Sequence, residues 1–253
     1  MSAHTELLSA VLADPDAEEP RDRLAELLIA AGDPRGELIA IQMKLARNQG
    51  NAPQLRKRAR PLLERHRHAW SGGIADLVDK FTFHRGFAEH IEVDSALFLR
   101  IADKLYSMAP IRHLTLAGAH AVAKDLFDSP HLSRIVSMSL ERCELDDDDA
   151  ALLAASPHVN RLRWLSLAWN HIGKPGLEAI AAAGQLAQLQ FLRFNDNAAP
   201  DPTIRAAGVD ETGAVLDIEV PDLGRELRET HGDLPWLTYA PDNQLDWPPD
   251  RDL

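Results

Sequence analysis

Several features that mark large classes of protein are missing from this sequence. It has a single cysteine, which excludes an internal disulfide framework and fits a reducing cytosol. No apolar run approaches the roughly 20 residues that a membrane-spanning helix needs. The first residues lack the basic and apolar regions of a secretory signal. We therefore expect a cytoplasmic protein that has no membrane partner.

The short motifs of common catalytic chemistries are also missing. There is no Gly-x-Ser-x-Gly, no phosphate-binding glycine loop, no His-Glu-x-x-His and no Cys-x-x-Cys. We expect a non-catalytic protein without a cofactor or a metal site. The run Asp146–Asp149 lacks the spaced oxygens and the glycine of a calcium loop. Because it precedes a predicted helix, it predicts a helix cap.

Basic charge is scarce overall, since the net charge is -12. Residues 198–253 carry 4 basic and 13 acidic residues, which argues against general nucleic-acid or anionic-membrane binding. The stretch from Lys44 to Arg67 is the exception, with eight basic residues against Glu64 alone. Its centre, Arg56, Lys57, Arg58 and Arg60, is a candidate nucleic-acid or phosphate site. It could equally be a solvated helix face or a dock for the protein's own acidic tail.

Four segments share the spacing Leu-x-x-Leu-x-Leu-x-x-Asn, which is typical of the strand of a leucine-rich repeat. The clearest runs from Leu162 to Asn170, and the others begin at Ile111, Ile135 and Leu189. Their third apolar anchors stand at positions 116, 140, 167 and 194, with spacings of 24, 27 and 27 residues. One repeat cannot bury its own apolar face, so the pattern predicts a stacked solenoid of about four strand–turn–helix repeats. A 27-residue period favours the ribonuclease-inhibitor-like type.

The N-terminal third has helical spacing instead. The apolar pattern predicts helices over about 5–13, 21–31, 34–45 and 53–70. Gly32 ends the second helix, and Asp33-Pro34 supplies an N-cap and a first-turn proline for the third.

The N-terminal residues resemble a known family. Leu12-Ala-Asp-Pro-Asp16 and Gly32-Asp-Pro-Arg-Gly-Glu-Leu-Ile-Ala-Ile-Gln42 are similar to the repeat-companion domain, which precedes leucine-rich repeats in myxobacterial and planctomycete proteins. Phe83-His-Arg-Gly-Phe87 and Gly232-Asp-Leu-Pro-Trp-Leu237 extend the resemblance over most of the chain. It implies an intracellular bacterial interaction protein that has no established catalytic residues. The chain departs at Ala25-Glu-Leu-Leu-Ile29, where the family suggests Tyr-Ala-Asp-Trp-Leu.

The sequence thus predicts an α/β protein in three parts. Residues 1–73 form a helical repeat-companion domain. Residues 81–197 form the leucine-rich-repeat solenoid, with Phe87–Val93 as an edge strand that caps it and a following helix to about Met108. Residues 198–253 form a C-terminal cap and an acidic tail from Ala240 on. The cap contains a turn at Asp210–Gly213, a strand over Ala214–Val220 and a helix from about Asp222 to His231. In the repeats, we expect Asn170, Asn197 and Cys143 to be structural, with each amide bonding the turn and the next strand.

Side chains between the anchors of each strand should point to an exposed concave face. Large aromatic and arginine side chains are frequent binding hot spots. The predicted partner-binding residues are Trp164, Trp169, Phe191, Arg163, Arg193, His113, Arg142 and Glu141. Trp169 and Phe191 could instead be covered by the cap or the acidic tail. Four short strands offer on the order of 300 Å², against roughly 800 Å² per partner in a standard interface.

That size suits a peptide or a single helix of a partner protein. The sequence therefore predicts a non-catalytic protein- or peptide-binding module, in which the concave face and the helical domain act together. A regulatory or substrate-recognition subunit of an enzyme complex is the remaining alternative. The sequence indicates neither the identity of the partner nor the oligomeric state.

Overall fold

The computed structural model describes residues 2–209 and 215–238. These residues form a mixed α/β protein with nine α-helices and a six-stranded, mostly parallel open sheet. They divide into two compact units. The first comprises residues 2–93 and 101–113, and the second comprises residues 94–100, 114–209 and 215–238. The first unit therefore extends beyond the helical domain expected at residues 1–73.

The elements follow one another along the chain with short connections. The N-terminal ones are α1 (Ala3–Ala13), α2 (Glu19–Ala30), α3 (Pro34–Ala46), α4 (Ala52–Trp70), β1 (Lys80–His84), β2 (Phe87–Asp94) and α5 (Ser95–Met108). The later ones are β3 (His113–Ala117), α6 (Ala123–Phe127), β4 (Ser137–Ser139), α7 (Asp147–Ala155), β5 (Trp164–Ser166), α8 (Lys174–Ala182), β6 (Phe191–Arg193), β7 (Arg205–Val209), β8 (Val215–Glu219) and α9 (Asp222–His231). The strand order of the large sheet is β1-β2-β3-β4-β5-β6, and β7 pairs with β8 separately.

The four predicted N-terminal helices are confirmed, and the sequence explains their ends. Gly32 has a φ of 72° after α2, a left-handed conformation that glycine adopts without steric cost. Asp33 accepts a hydrogen bond from the Arg35 backbone N–H at 2.8 Å, and Pro34 follows as the first helical residue. Asn51 caps α4 in the same way, accepting from Gln54 N–H at 3.0 Å.

Two apolar clusters hold the first unit together. One joins α1, α2 and α3 to β2 through Val11, Leu24, Ala25, Leu28, Ile39, Met43 and Phe87. The other joins α3 and α4 to β1 through Leu38, Ile41, Leu55, Ala59, Leu63 and Phe83. Helix α3 therefore packs on both of its sides, which explains why its buried residues do not form a single stripe.

The prediction that Phe87–Val93 is an edge strand is wrong. Strand β1 pairs with it in antiparallel fashion and occupies the edge of the sheet. The two strands are joined by Arg85 and Gly86, both with positive φ, and a side chain at Gly86 would collide with Ile39. Strand β1 was missed although Lys80-Phe-Thr-Phe-His84 alternates polar and apolar residues, the pattern of a half-buried strand.

Strands β4, β5 and β6 pair in the register that the 27-residue spacing of their apolar residues predicts. These strands are parallel, and Met138 pairs with Leu165, which pairs with Leu192. Successive register partners are 27 residues apart along the chain, so equivalent apolar anchors of neighbouring strands lie side by side in rows. All of the anchors on these strands are buried: Ile135, Met138, Leu140, Leu162, Leu165, Leu167, Leu189, Leu192 and Phe194. The strands themselves are only three residues long.

The side chain of Asn170 is buried among backbone groups, as predicted for this position. Its Oδ1 accepts from the N–H groups of Cys143 and Leu145 at 2.9 and 3.1 Å. Its Nδ2 donates to Leu140 O and Leu167 O at 2.8 and 2.9 Å. These bonds reach the preceding strand and its turn, so the expected link to the following strand is wrong. Asn197 repeats the arrangement one step later, with Ile172 N–H and Leu167 O as partners.

Cys143 and the aspartate run also have structural roles. The buried Cys143 thiol donates to Leu116 O, with Sγ and O 3.1 Å apart, and burial raises the pKa of the thiol. Asp146 and Asp149 form a reciprocal capping box at the start of α7, which confirms the predicted helix cap. Asp147 Oδ1 accepts from the N–H groups of Gly173 and Gly176 at 2.7 and 2.9 Å, linking two successive turns.

After residue 197 the structure changes character. The predicted strand near residue 215 is confirmed as β8, and the predicted helix α9 is confirmed at Asp222–His231. Strand β7 was missed, because Arg205-Ala-Ala-Gly-Val209 contains only one residue of high strand propensity. The predicted turn at Asp210–Gly213 and the acidic tail from Ala240 lie outside the described residues. In the described ranges, no helix combines the length and the apolar composition that crossing a membrane requires.

Candidate partner-binding face

Strands β4, β5 and β6 present one row of side chains opposite their buried anchors, and most of the predicted site residues lie in this row or in the turn after it. We call this surface the aromatic face. It consists of Glu141, Arg142, Arg163, Trp164, Trp169, Phe191 and Arg193, all in the second unit. Because the register is parallel and in step, equivalent positions of successive strands lie side by side.

Trp164 and Phe191 form the first cluster of this face. They are register partners on β5 and β6, and their rings stack with centroids 5.5 Å apart and an angle of 11° between the planes. The expectation that Trp164 is exposed is wrong, because only 8% of its surface is accessible. Neighbouring strands are about 4.8 Å apart, so the large Phe191 ring beside it covers the indole. Trp164 thus contributes mainly to the internal packing of the face.

Trp169 is the centre of the second cluster. The guanidinium carbon of Arg142 lies 4.1 Å from the centroid of the Trp169 ring, and that of Arg193 lies 4.7 Å from it. Two arginines, one after the preceding strand and one on the following strand, therefore make cation–π contacts with a single indole. Trp169 is half-buried, and Arg142 is exposed.

A hydrogen-bond network fixes one of the two arginines. Arg193 Nη1 donates to Glu141 Oε1 at 3.0 Å, and Arg193 Nε donates to Asn195 Oδ1 at 3.1 Å. Glu141 Oε1 also accepts from Ser166 Oγ at 2.6 Å. The carboxylate of Glu141 is thus engaged from two sides. Arg193 is thus held both by its stacking on Trp169 and by its ion pair with Glu141.

The backbone explains how these side chains are presented. Gly118, Arg142, Trp169 and Asp196 each stand directly before the last position of the Leu-x-x-Leu-x-Leu-x-x-Asn spacing, and all four have φ between 55° and 63°. This left-handed conformation is easy for glycine but costs an ordinary residue about 1–2 kcal/mol. A tryptophan and an arginine at such corners are uncommon, and strained residues of this kind cluster at functional sites.

A groove of about 600 Å³ lies against β6. Its lining residues are Phe191, Leu192, Arg193, Phe194, Asn195, Asp201 and Thr203. The groove adjoins the aromatic face, because Phe191 and Arg193 belong to both. Sequence patterns did not indicate it, since Asp201 and Thr203 lie beyond the last repeat and carry no repeat signal.

His113, which was predicted to bind the partner, lies in the first unit and is almost completely buried. Burial lowers the pKa of its imidazole well below the ordinary value. Its ring packs edge-on against His84, with centroids 5.9 Å apart. The prediction of an exposed binding residue at this position is therefore wrong.

A buried ionic cluster occupies the same region of the first unit. Arg21 Nη2 lies 2.7 Å from Glu89 Oε1, and Arg85 Nη2 donates to the same oxygen at 2.9 Å. Both guanidinium groups also donate to Pro15 O, at 3.0 and 2.9 Å. Burial would raise the pKa of the Glu89 carboxyl, but Arg21, His84 and Arg85 hold it below its usual range. Burial lowers the pKa of Arg21 to about 10.

Two groups of side chains have the composition of a metal site among the described residues: His84, Glu89 and His113, and His120, Asp146 and Asp149. In the first group, Arg21 and Arg85 already occupy the carboxylate of Glu89, and their charges oppose a cation. In the second group, the carboxylates cap α7, and Asp149 Oδ2 lies 2.6 Å from His120 Nδ1. Both arrangements satisfy their own charges without an ion.

The basic candidate residues lie on α4. Arg58 pairs with Glu37 at 2.8 Å, and Arg60 approaches Glu64 at 3.5 Å. Lys57, Arg58 and Arg60 are exposed, and Arg56 is half-buried. The run is thus a solvated helix face in which Arg58 and Arg60 have carboxylate partners. Comparison of the chain with protein families, with curated proteins and with solved structures found no match.

Proposed function

We propose that this chain is a non-catalytic, cytoplasmic interaction protein that binds a protein or peptide through the aromatic face. In this proposal, residues 111–197 are a short leucine-rich-repeat solenoid of about four repeats. The helical first unit would be the repeat-companion domain that the sequence resembles. The in-step parallel register of β4, β5 and β6 and the asparagine ladder support the repeat assignment.

One observation carries the binding proposal. Trp169 is half-buried at a left-handed corner, and two arginines stack on it. The corner needs no aromatic residue for folding, since Gly118 occupies the equivalent place earlier in the chain. Tryptophan and arginine are the side chains most enriched at binding hot spots. Trp169 thus has a strained backbone conformation, and its contacts are made by the residue types that are enriched at binding interfaces.

Affinity capture from the native lysate, analysed by mass spectrometry, tests this proposal. The wild type is compared with Trp169→Ala, and Trp70→Ala is the matched control, because Trp70 is a half-buried tryptophan of α4 in the first unit. We expect Trp169→Ala to lose the captured partner and Trp70→Ala to keep it, with both variants folded by circular dichroism. Equal capture by all three proteins would contradict binding through the aromatic face.

Nucleic-acid or phosphate binding by α4 has less support. Arg58 and Arg60 already have carboxylate partners, and the whole chain carries a net charge of -12. A steep salt dependence of binding that disappears on reversing Arg56, Lys57, Arg58 and Arg60 would favour this alternative.

A further inference from the structure

Arg142 differs from Arg193, another arginine of the aromatic face, in having no partner of opposite charge among the described residues. Its guanidinium group stacks on Trp169, and it has no hydrogen bond or ion pair within the described residues. Arg193, in contrast, donates to Glu141 and Asn195. A guanidinium group has five N–H donors in a planar fork, and stacking over an indole leaves the edge of that plane available.

Stacking also fixes the direction of the Arg142 side chain before anything binds. The left-handed corners at Arg142 and Trp169 set the starting directions of the two side chains, and the cation–π contact holds the guanidinium 4.1 Å from the ring centroid. An arginine immobilised in advance loses less conformational entropy when it binds. The group is therefore a preorganised donor for a planar anion, and carboxylate is the planar anion that a protein partner carries.

Nearby charges do not supply that anion. Glu141 is the nearest carboxylate along the chain, but its Oε1 accepts from both Arg193 and Ser166. Asp196, at the next left-handed corner, accepts from the Asn195 amide. Arg163, at the start of β5, is exposed and has no ion pair within the described ranges. Two of the three arginines of the face, Arg142 and Arg163, thus have no ion pair among the described residues, which favours a partner of negative charge.

The groove beside β6 indicates the shape of that partner. In parallel pairing, alternate residues of a strand form the hydrogen bonds to one neighbouring strand. Here Phe191 N–H donates to Arg163 O, and Leu167 N–H donates to Arg193 O. The backbone groups of Leu192 therefore point away from β5, toward the open edge of the sheet where the groove lies. An extended peptide can add to such an edge through its own backbone.

We propose, on the basis of the proposed function, that the aromatic face binds an extended peptide segment and that Arg142 receives an aspartate or glutamate side chain of it. The peptide backbone lies in the groove against β6. Arg193, which lines the groove, stacks on Trp169, and Trp169 stacks on Arg142, so these contacts connect the groove with the anion site. A folded acidic protein surface would not enter the groove, and free phosphate would not use it.

Selection from a phage-displayed library of random octapeptides tests this inference. The full chain, Arg142→Gln, Trp169→Ala and the control Arg100→Gln serve as four separate baits. Arg100 is an exposed arginine of α5, so its removal changes the net charge equally but leaves the aromatic face intact. The enriched peptides are then synthesised, and their affinities are measured with and without 10 mM phosphate as competitor, a concentration on the order of weak single-anion binding.

We expect wild type and Arg100→Gln to enrich peptides with an acidic residue at one fixed position. Arg142→Gln should lose this preference and bind the selected peptide about tenfold more weakly, because a charge-assisted hydrogen bond is lost. Replacement of the acidic residue by glutamine should weaken wild-type binding equally, but should not weaken Arg142→Gln further.

Three outcomes would overturn the inference in different ways. Enriched peptides that depend on Trp169 but show no acidic position would refute the carboxylate receptor and leave the proposed function standing. If no peptide is enriched in a Trp169-dependent manner, both the inference and peptide binding by the aromatic face fail. Complete displacement of the peptide by phosphate would refute the assignment to a peptide carboxylate.

Discussion

The two units of this protein use arginine in opposite ways. In the first unit, Arg21 and Arg85 are buried, and both bond to Glu89 and to Pro15 O. In the second, Arg142 is exposed, and its guanidinium group stacks on the ring of Trp169 without a carboxylate partner among the described residues. Burial makes an unpaired charge very costly, so the first pair needs its carboxylate. The exposed group has no such need and can keep its donors for a partner.

This difference separates a structural role from a binding role for the same side chain. A buried pair whose donors are satisfied internally has little left to offer a ligand. An exposed guanidinium held by stacking has both orientation and vacant donors. Substitutions in the buried cluster should therefore change the free energy of unfolding, whereas substitution of Arg142 should change partner binding. The following predictions test that contrast.

Replacement of Glu89 should have the largest effect. Glu89→Gln leaves Arg21 and Arg85 buried without a compensating charge, and breaking such a cluster costs about 3–5 kcal/mol. Chemical denaturation with urea measures the free energy of unfolding. The exposed Glu64→Gln on α4 is the control and should change it by less than about 1 kcal/mol. Similar losses for both variants would show that Glu89 does not neutralise the cluster.

Acid should remove the contribution of Glu89 from the wild type. The folded-state pKa of this carboxyl is below its ordinary value, so its stabilisation is present above the unfolded pKa of about 4.3 and is lost as the pH falls toward the folded value. The gap in unfolding free energy between the wild type and Glu89→Gln should therefore narrow below about pH 4. A gap that stays constant down to about pH 3 would contradict the depressed pKa.

The sequence predicts the second unit better than the first for a physical reason. The buried positions of the strands follow from apolar spacings of a few residues, so Leu162, Leu165 and Leu167 indicate the core directly. The buried cluster depends on contacts across long separations, since Arg21 bonds Arg85 O across 64 positions. No local pattern distinguishes Arg21 from a surface arginine such as Arg23 on the same helix.

Prediction from the sequence also missed interactions between neighbouring strands. Alternation placed Trp164 correctly on the side opposite the anchors. Its burial depends on the size of Phe191, one repeat later, and on their stacking. The stacking of Arg142 on Trp169 depends on the left-handed backbone conformation of these residues. The spacing of apolar residues does not indicate such a conformation at residues other than glycine. The aromatic face was thus predictable as a set of residues, but the role of each member was not.

Asn170→Ala should have the next largest effect, because the buried Asn170 amide is the partner of several backbone groups. The change leaves the backbone groups of Cys143, Leu145 and Leu140 without their amide partner. Unsatisfied buried groups cost about 1–3 kcal/mol, and we expect a loss of about 2–3 kcal/mol. Asn197→Ala, at a half-buried position, should lose less. The midpoints of thermal unfolding of the two variants, compared with the wild type, measure the difference, and equal shifts would contradict the role of burial.

Trp169 allows the strain at the corner to be measured. Trp169→Ala and Trp169→Gly both remove the ring and its arginine contacts, but only glycine relieves the left-handed backbone with its φ of 57°. We expect the glycine variant to be about 1 kcal/mol more stable than the alanine variant in urea denaturation. Both variants should lose partner capture equally. A more stable alanine variant would show that the corner carries no strain.

Arg142→Gln should have the smallest effect on folding, and this makes it the most direct test of the contrast between the units. The side chain is exposed and has no ion pair within the described residues, so the free energy of unfolding should change by less than about 0.5 kcal/mol. Arg85 provides the matched comparison, because it also has a positive φ but donates to Glu89 and Pro15 O. Arg85→Gln should therefore destabilise the protein by several-fold more than Arg142→Gln under the same denaturation conditions. If both substitutions destabilise it equally, Arg142 is a structural arginine of the same kind as Arg85, and its exposed donors have no separate role in binding.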